Sequence, residues 1–236
     1  MLEVKAATLY YSEALVFQNL SFRLESGQCL ALLGASGVGK TSLLRLIAGL
    51  HQKRPQAKTR VTGQVLWKGS PVFNVAYMAQ QDGLLPWRTT LENVLLSFQL
   101  QGIQSPIASA KALLIEVGLG GVLSAYPDQL SGGMRQRVAL VRTLLQDAPL
   151  VLMDEPFSAL DAITRLEMQD LSSQLLRGAH KTVLMVTHDP LEALRLADEI
   201  KVMSGDPIQL HSYPVLQSRA ALSTYQDLLT LLRKKQ

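Results

Sequence analysis

The chain has 236 residues, 47% hydrophobic and 18% charged, with a net charge of +4; it is long enough to bury a core and too apolar for a disordered or fibrous class. No apolar run approaches the roughly 18 residues that cross a bilayer, and Met1-Leu-Glu-Val-Lys-Ala alternates like a strand rather than opening a secretory leader, so the sequence predicts a cytosolic protein. The basic excess is small and sits at Lys53, Arg54, Lys58, Arg60 and Arg233–Lys235, which reads as solvated surface, with an acidic membrane or nucleic acid as the alternative; the single Cys29 reads as a small buried hydrophobe.

The first elements are two β-rich runs, Val4 to Tyr11 and Leu15 to Leu24, separated by Ser12-Glu13, and they predict a hairpin or small antiparallel sheet. Ser26-Gly27 turns the chain into the apolar run Leu30 to Leu33, followed by the glycine-rich turn Gly34-Ala-Ser-Gly-Val-Gly-Lys40-Thr41 and helical spacing from Leu43 to Leu50. His51 to Arg60 reads as a basic surface loop. Val61 to Trp67 and Asn74 to Met78 then predict a second strand pair with Lys68-Gly-Ser-Pro71 as its turn.

The character changes at Gln80. An irregular stretch through Pro86-Trp87 leads to helical periodicity in Thr90 to Leu100 and Pro106 to Val117, broken at Gly102 and at Gly118 to Gly121. Leu130-Ser-Gly-Gly-Met-Arg-Gln-Arg137 opens another helix that runs to Leu145. Short buried strands at Leu150 to Met153 and Thr182 to Val186 alternate with helices at Ala162 to Leu176 and Pro190 to Ala197, and that alternation predicts a mostly parallel sheet with helices on both faces. A helix packing one face down is predicted from Ser218 to Arg233.

Several positions carry chemistry. In a strand–loop–helix setting, the turn from Gly34 to Thr41 is a phosphate loop: its backbone N–H groups wrap an anion at a helix N-terminus, Lys40 reaches the terminal phosphates, and the Thr41 hydroxyl is placed for magnesium. Asp154 and Glu155 end a buried strand as adjacent carboxylates that point in different directions, so one can hold magnesium while the other polarises water. Ligands bind at the carboxyl ends of parallel strands, and His188 follows such a strand too. Ser131, Gly132 and Gly133 precede a helix, so that hydroxyl, backbone N–H groups and helix dipole can face a second anion.

Taken together, Gly34 to Thr41, Gln80, Leu130 to Arg137, Asp154-Glu155 and His188 resemble the nucleotide-binding subunit of an ATP-binding cassette (ABC) transporter, over essentially the whole chain. The LSGGMRQR stretch discriminates, because phosphate loops are widely shared; Met134 stands where glutamine is usual. The resemblance implies a single ABC ATPase domain over residues 1–236: an α/β P-loop NTPase (RecA-like) core with a mostly parallel sheet and an N-terminal antiparallel β subdomain, together spanning 1–84 and 145–236, and an α-helical subdomain at 85–144. It implies ATP and Mg2+ as cofactors. Gly34, Ala35, Ser36, Gly37, Val38, Gly39, Lys40, Thr41 and Ser42 would hold phosphate, and Tyr11, rather than Tyr10, would stack on adenine. Asp154 resembles the magnesium carboxylate, joined by Thr41 and Gln80. Glu155 resembles the general base and His188 the residue near the γ-phosphate. Gln80, preferred to Gln81 on family spacing, resembles the glutamine that meets magnesium and the attacking water, and Asp161 the D-loop aspartate in Ser158-Ala-Leu-Asp161.

In the family the signature Ser131, Gly132 and Gly133 completes the site of a second copy, so two chains sandwich two ATP molecules head to tail. Further implied partners are transmembrane permease subunits, received by the helical segment from Pro86 to Leu130, and indirectly a solute-binding protein, with the chain on the cytoplasmic face of the cell membrane. Leu84-Leu-Pro-Trp87 resembles importers for nitrate, taurine and other sulfonates, and thiamine-type precursors. The sequence shows no added regulatory domain of the sugar-importer kind; its basic loop is longer than usual and its turn from Trp67 to Val75 shorter. The rivals are a cassette ATPase acting on nucleic acid or ribosomes, which would bring long coiled coils or a second cassette, a non-enzymatic binding module, disfavoured by Glu155 and His188, and an exporter ATPase, disfavoured by the LLPW stretch.

Overall fold

A computed structural model describes residues 1–50 and 59–213. The hairpin forms as expected: β1 (Leu2–Tyr11) and β2 (Ala14–Leu24) pair antiparallel, from Leu2 with Leu24 to Tyr11 with Ala14. The expected second strand pair does not form. β4 (Thr59–Trp67) joins the other edge of β1 to give the order β2-β1-β4, while β5 (Val75–Met78) leaves for a different sheet and pairs parallel with β6 (Leu150–Asp154). The tight turn at Lys68-Gly69 closes through a Trp67–Ser70 bridge, then the chain crosses between sheets.

The second sheet has six strands in the order β5-β6-β7-β3-β8-β9, where β3 is Cys29–Leu33, β7 Thr182–Thr187, β8 Glu199–Ser204 and β9 Gln209–Tyr213. The first five are parallel and β9 returns antiparallel on β8. Pleat alternation divides the central strands between two cores. Leu30, Leu32, Leu150, Leu152, Leu184 and Val186 face the antiparallel sheet and α1 (Lys40–Ile47), whereas Ala31, Leu33, Val151, Met153, Val183 and Met185 face the other helices. Each fully buried leucine contributes roughly 1.5–3 kcal/mol.

Helix α1 is shorter than its periodicity suggests. It ends at Ile47 because Gly49 takes a left-handed φ of 70° and Leu50 donates its N–H back to the Arg45 carbonyl, which closes the end as a Schellman turn. The helical stretch from Thr90 is two short pieces, α2 (Thr90–Val94) and α3 (Leu96–Gln101), and α4 follows at Ile107–Glu116. These lie against α5 (Gly132–Leu145), while α6 (Ala162–Gly178) and α7 (Pro190–Leu196) complete the helices. Residues 199–213, unassigned from the sequence alone, supply β8 and β9. Most of the basic loop and the predicted tail helix lie outside the described residues.

One glycine sets the shape of the small sheet. At Gly63 (φ 89°) a Cβ would come within 2.4 Å of the Ala6 carbonyl oxygen, opposite the register shift in β1 between Lys5 and Thr8. Gly69 has a similar φ of 81° but open space around it. Gly69→Ala should therefore cost only the left-handed backbone penalty of about 1 kcal/mol, and Gly63→Ala about 3 kcal/mol or more, since the two strands must separate. Urea unfolding of the two variants checks this; equal losses would show that the bulge tolerates a side chain.

Candidate active site

The parallel order β6-β7-β3 brings the carboxyl ends of three strands side by side, and each end carries an expected site residue. After β3, Gly37 and Gly39 take φ of 83° and 102° and turn the chain into α1, whose N-cap Gly39 offers no capping side chain. The first-turn N–H groups are thus left facing outward for an anion. Gly34 is required by close approach, because a Cβ there would lie 2.7 Å from the Met203 carbonyl oxygen of β8.

Lys40 is 4% exposed. Its Nζ donates to the Gly34 and Ala35 carbonyl oxygens, both at 2.9 Å, and lies 3.5 Å from Glu155 Oε1. Burial lowers its pKa, and the Glu155 and Asp154 charges oppose that shift. The ammonium is therefore held inside the loop by neutral carbonyls, which a phosphate could outcompete. Glu155 follows β6 with its N–H donating to the Val186 carbonyl at 3.0 Å and its backbone at φ 45°, a left-handed conformation that costs about 1–2 kcal/mol for a residue with a Cβ. That twist aims the carboxylate between Lys40 and His188: Oε1 faces the ammonium, and Oε2 meets His188 Nδ1 at 3.1 Å.

Asp154, one residue earlier, is held differently. Its Oδ1 accepts from the Thr41 hydroxyl at 2.8 Å and its Oδ2 from the Tyr77 hydroxyl at 2.8 Å. A hydroxyl and a carboxylate side by side are hard oxygen donors. With Gln80 beyond β5, they suit a magnesium ion that takes its other ligands from phosphate and water. Among the described residues no group of three His, Cys, Asp or Glu could hold a metal. Gln80 Nε2 lies 3.4 Å from the Ser158 hydroxyl, which donates to the Glu155 carbonyl at 3.0 Å.

His188 is half-exposed after β7. Behind it Thr187 donates its hydroxyl to Glu192 Oε2 at 3.0 Å and accepts the Asp189 N–H at 3.0 Å, while Asp189 caps α7 through the Leu191 N–H. Glu192 is 3% exposed, and burial pushes its carboxyl up to about 7 against the lowering bond from Thr187. Tyr11 lies on the Leu9 face of β1, against the core that also holds Val16 and Val38, whereas Tyr10 lies under the Arg60 guanidinium at 4.2 Å. The two tyrosines take opposite faces, as the pleat requires.

The signature residues stand apart from this edge. Ser131 caps α5, its hydroxyl accepting the Met134 N–H at 3.3 Å, and Asp161 caps α6 through the Ile163 and Thr164 N–H groups; the Thr164 side chain first, then these N–H groups, lower its pKa. A Cβ on Gly133 would meet Thr164 Cγ2 at 2.6 Å, so this glycine lets α5 approach α6. Ser131, Gly132, Gly133, Asp161 and Thr164 line one cavity of about 290 Å³ that shares no residue with the phosphate loop. The chain thus brings Lys40, Thr41, Gln80, Asp154, Glu155 and His188 to one edge, and gathers Ser131 to Gly133 with Asp161 on another surface.

Sequence reasoning passed over Tyr77, Ser158 and Glu192. Glu192 was discoverable, since it falls among Ala193 and Leu196 on the buried side of α7. Tyr77 offered no signal in a strand where an aromatic is ordinary. Cys29 is half-buried against the core rather than fully buried, and burial, with Asp198 close by, pushes its thiol up to about 12.

A fold with this strand order, a phosphate loop after β3 and paired acidic residues two strands away, with β7 between, defines a P-loop ATPase. The ABC transporter family model matches residues 17–158, and the chain belongs to that family as an ABC ATPase. It is 40% identical over 222 residues to the aliphatic sulfonates import ATP-binding protein of Rhodococcus jostii, covering 92% of this chain and 86% of that protein. To the taurine import ATP-binding protein of Yersinia pestis it is 41% identical over 212 residues, covering 89% and 82%. Among solved structures, it is similar to an ATP-binding cassette in a dimeric post-hydrolysis state with ADP and phosphate bound, with a TM-score of 0.74, 26% identity, and coverage of 92% of this chain and 100% of that one.

The buried Glu192 makes a prediction with a definite sign. Its folded pKa lies above the unfolded one, so the folded state binds the extra proton between about pH 4.5 and 7 and loses stability as pH rises through that window. Glu192→Gln, neutral throughout, should remove up to roughly 3 kcal/mol of that decline. Denaturation of both proteins at pH 5 and pH 8 measures it, and parallel curves would show that Glu192 titrates normally.

Proposed function

We propose that the chain is the ATP-hydrolysing subunit of an ABC importer, working as a head-to-tail dimer that drives uptake of a small sulfonate-type solute through separate permease subunits. The observation that carries the catalytic part is Glu155, whose carboxylate stands between the Lys40 ammonium and the His188 imidazole. A carboxylate so placed can accept a proton from water attacking the terminal phosphate held by Lys40 and the loop N–H groups, and His188 can steady the same phosphate. Thr41, Asp154 and Gln80 would hold magnesium, which neutralises phosphate charge. Tyr11 would face adenine. Ala35, Ser36, Val38 and Ser42 contribute as part of the loop and the first helical turn.

The separate lining of the two anion-facing surfaces supports the dimer. Ser131, Gly132 and Gly133 line with Asp161 a cavity that shares no residue with their own chain's phosphate loop, and in the dimer they would close over ATP held by a second copy. Tighter ATP binding in the closed pair then supplies the differential affinity that does mechanical work.

The permease would bind the helical subdomain at residues 85–144. There Trp87 is 70% exposed on a turn fixed by Asn93, whose buried amide donates to the Leu85, Arg88 and Thr89 carbonyls, and Leu100 and Ile115 are also exposed. The sulfonate and taurine importers among the relatives support the cargo class, and a solute-binding protein would deliver it. Among the described residues no helix is long and apolar enough to cross a membrane, so attachment to the cytoplasmic face would be through the permease.

Glu155→Gln is expected to keep ATP binding and slow hydrolysis by roughly 10²- to 10⁴-fold; turnover near that of the parent chain, followed by phosphate release, would remove Glu155 from the role of base. Ser131→Arg should stop hydrolysis although the phosphate loop is untouched, and mixing it with Lys40→Ala chains should restore at most one composite site. Normal hydrolysis by the Ser131 variant alone would rule out the two-chain sandwich.

A further inference from the structure

Asp154 is buried at 5% exposure, and both its oxygens are occupied, Oδ1 by the Thr41 hydroxyl and Oδ2 by the Tyr77 hydroxyl. The two donors come from different elements. Thr41 lies in the first turn of α1. Tyr77 sits on the neighbouring strand β5, opposite Leu152 and on the same face of the sheet, so its ring runs along that face and its hydroxyl reaches the carboxylate two residues further on. The Arg45 side chain of α1 stands beside the same hydroxyl. Arg45 can only donate and the Asp154 carboxylate only accept, so the phenol proton points to Oδ2.

We propose that Tyr77 is a positioning residue for the magnesium ion: by anchoring Oδ2 it fixes the rotamer of Asp154 and keeps the carboxylate aligned with the Thr41 hydroxyl. An aspartate anchored through one oxygen keeps freedom to rotate about its terminal torsion, whereas one held through both has a single orientation. Partners that orient a metal ligand in this way are typically worth about 10- to 100-fold in metal affinity. The Tyr77 ring is partly buried and packs against the core that α1 shares. Tyr77→Phe therefore removes the donor while leaving the packing in place. The inference rests on the assignment of Thr41 and Asp154 to magnesium.

The test uses the full chain with bound ATP and Mn2+ as the spectroscopic probe of the metal. Three quantities are compared between the parent and Tyr77→Phe: Mn2+ affinity by electron paramagnetic resonance, ATP affinity in EDTA, and the Mg2+ concentration that half-saturates hydrolysis. Mn2+ affinity is expected to fall about 10-fold or more and the Mg2+ requirement to rise in parallel, with metal-free ATP affinity changed less than about twofold. Unchanged Mn2+ affinity overturns the proposal, as does an equal loss of ATP affinity with and without metal, which would mark Tyr77 as packing alone. Asp154→Asn run beside it separates the two ways of failing. If Asp154→Asn also binds Mn2+ normally, the magnesium assignment is wrong and the inference falls with it. If Asp154→Asn loses Mn2+ and Tyr77→Phe does not, only the role of Tyr77 is refuted.

Discussion

The parallel pairing of β7 with both β3 and β6 is the constraint on which the site depends. It puts the ends of three strands within one side chain's length of each other. The phosphate loop then meets the acidic pair and the histidine, although Thr41 lies 113 residues before Asp154 in the chain and His188 lies 33 after Glu155. Every strand of that trio is buried on both faces, so a one-residue slip would exchange the two cores and carry Asp154 away from Thr41. Registration of the site is thus bound to the largest favourable energy in the fold, the burial of apolar surface.

Within this frame the charges are arranged so that none is buried alone. Lys40 is desolvated but has two carbonyls and a carboxylate around it, and Asp154 has two hydroxyls. Isolated burial of either charge would cost several kcal/mol. Paired as they are, they form a stiff polar lining whose members share partners, and Glu155 links it to His188. The left-handed backbone at Glu155 is the local strain this arrangement carries, and it falls at the residue with the most demanding chemical position.

A second layer of organisation lies in the loop after β5. Arg135 bonds the Asp82 carboxylate and Arg142 donates to the Asp82 and Gly83 carbonyls, so α5, which begins at the signature, is tied to the stretch that follows Gln80. Gln136 also bonds the Pro156 carbonyl just past Glu155. The signature helix is therefore mechanically joined to both ends of the catalytic edge. Under the roles proposed for Gln80 and Glu155, nucleotide contacts there would have a direct physical path to α5.

Much of this was legible in the sequence by itself. The glycine spacing from Gly34 to Gly39, the Asp154-Glu155 pair after an apolar run, the LSGG stretch and His188 after a strand each depend on local backbone conformation and burial period, which sequence encodes directly. The tertiary structure decided what those signals do not carry. Two adjacent strand signals, β4 and β5, went to different sheets, because pairing is a choice among distant partners and a short turn does not dictate it. Tyr77 acquired its contact from Asp154, 77 residues away, through a hydroxyl–carboxylate bond that leaves no periodic mark. The signature's separation from its own phosphate loop is likewise a fact of three dimensions: hydrophobic spacing determines which face of a helix is buried, while the packing of α5 on α6, made possible at Gly133 by the absence of a Cβ, determines where its N-terminus points.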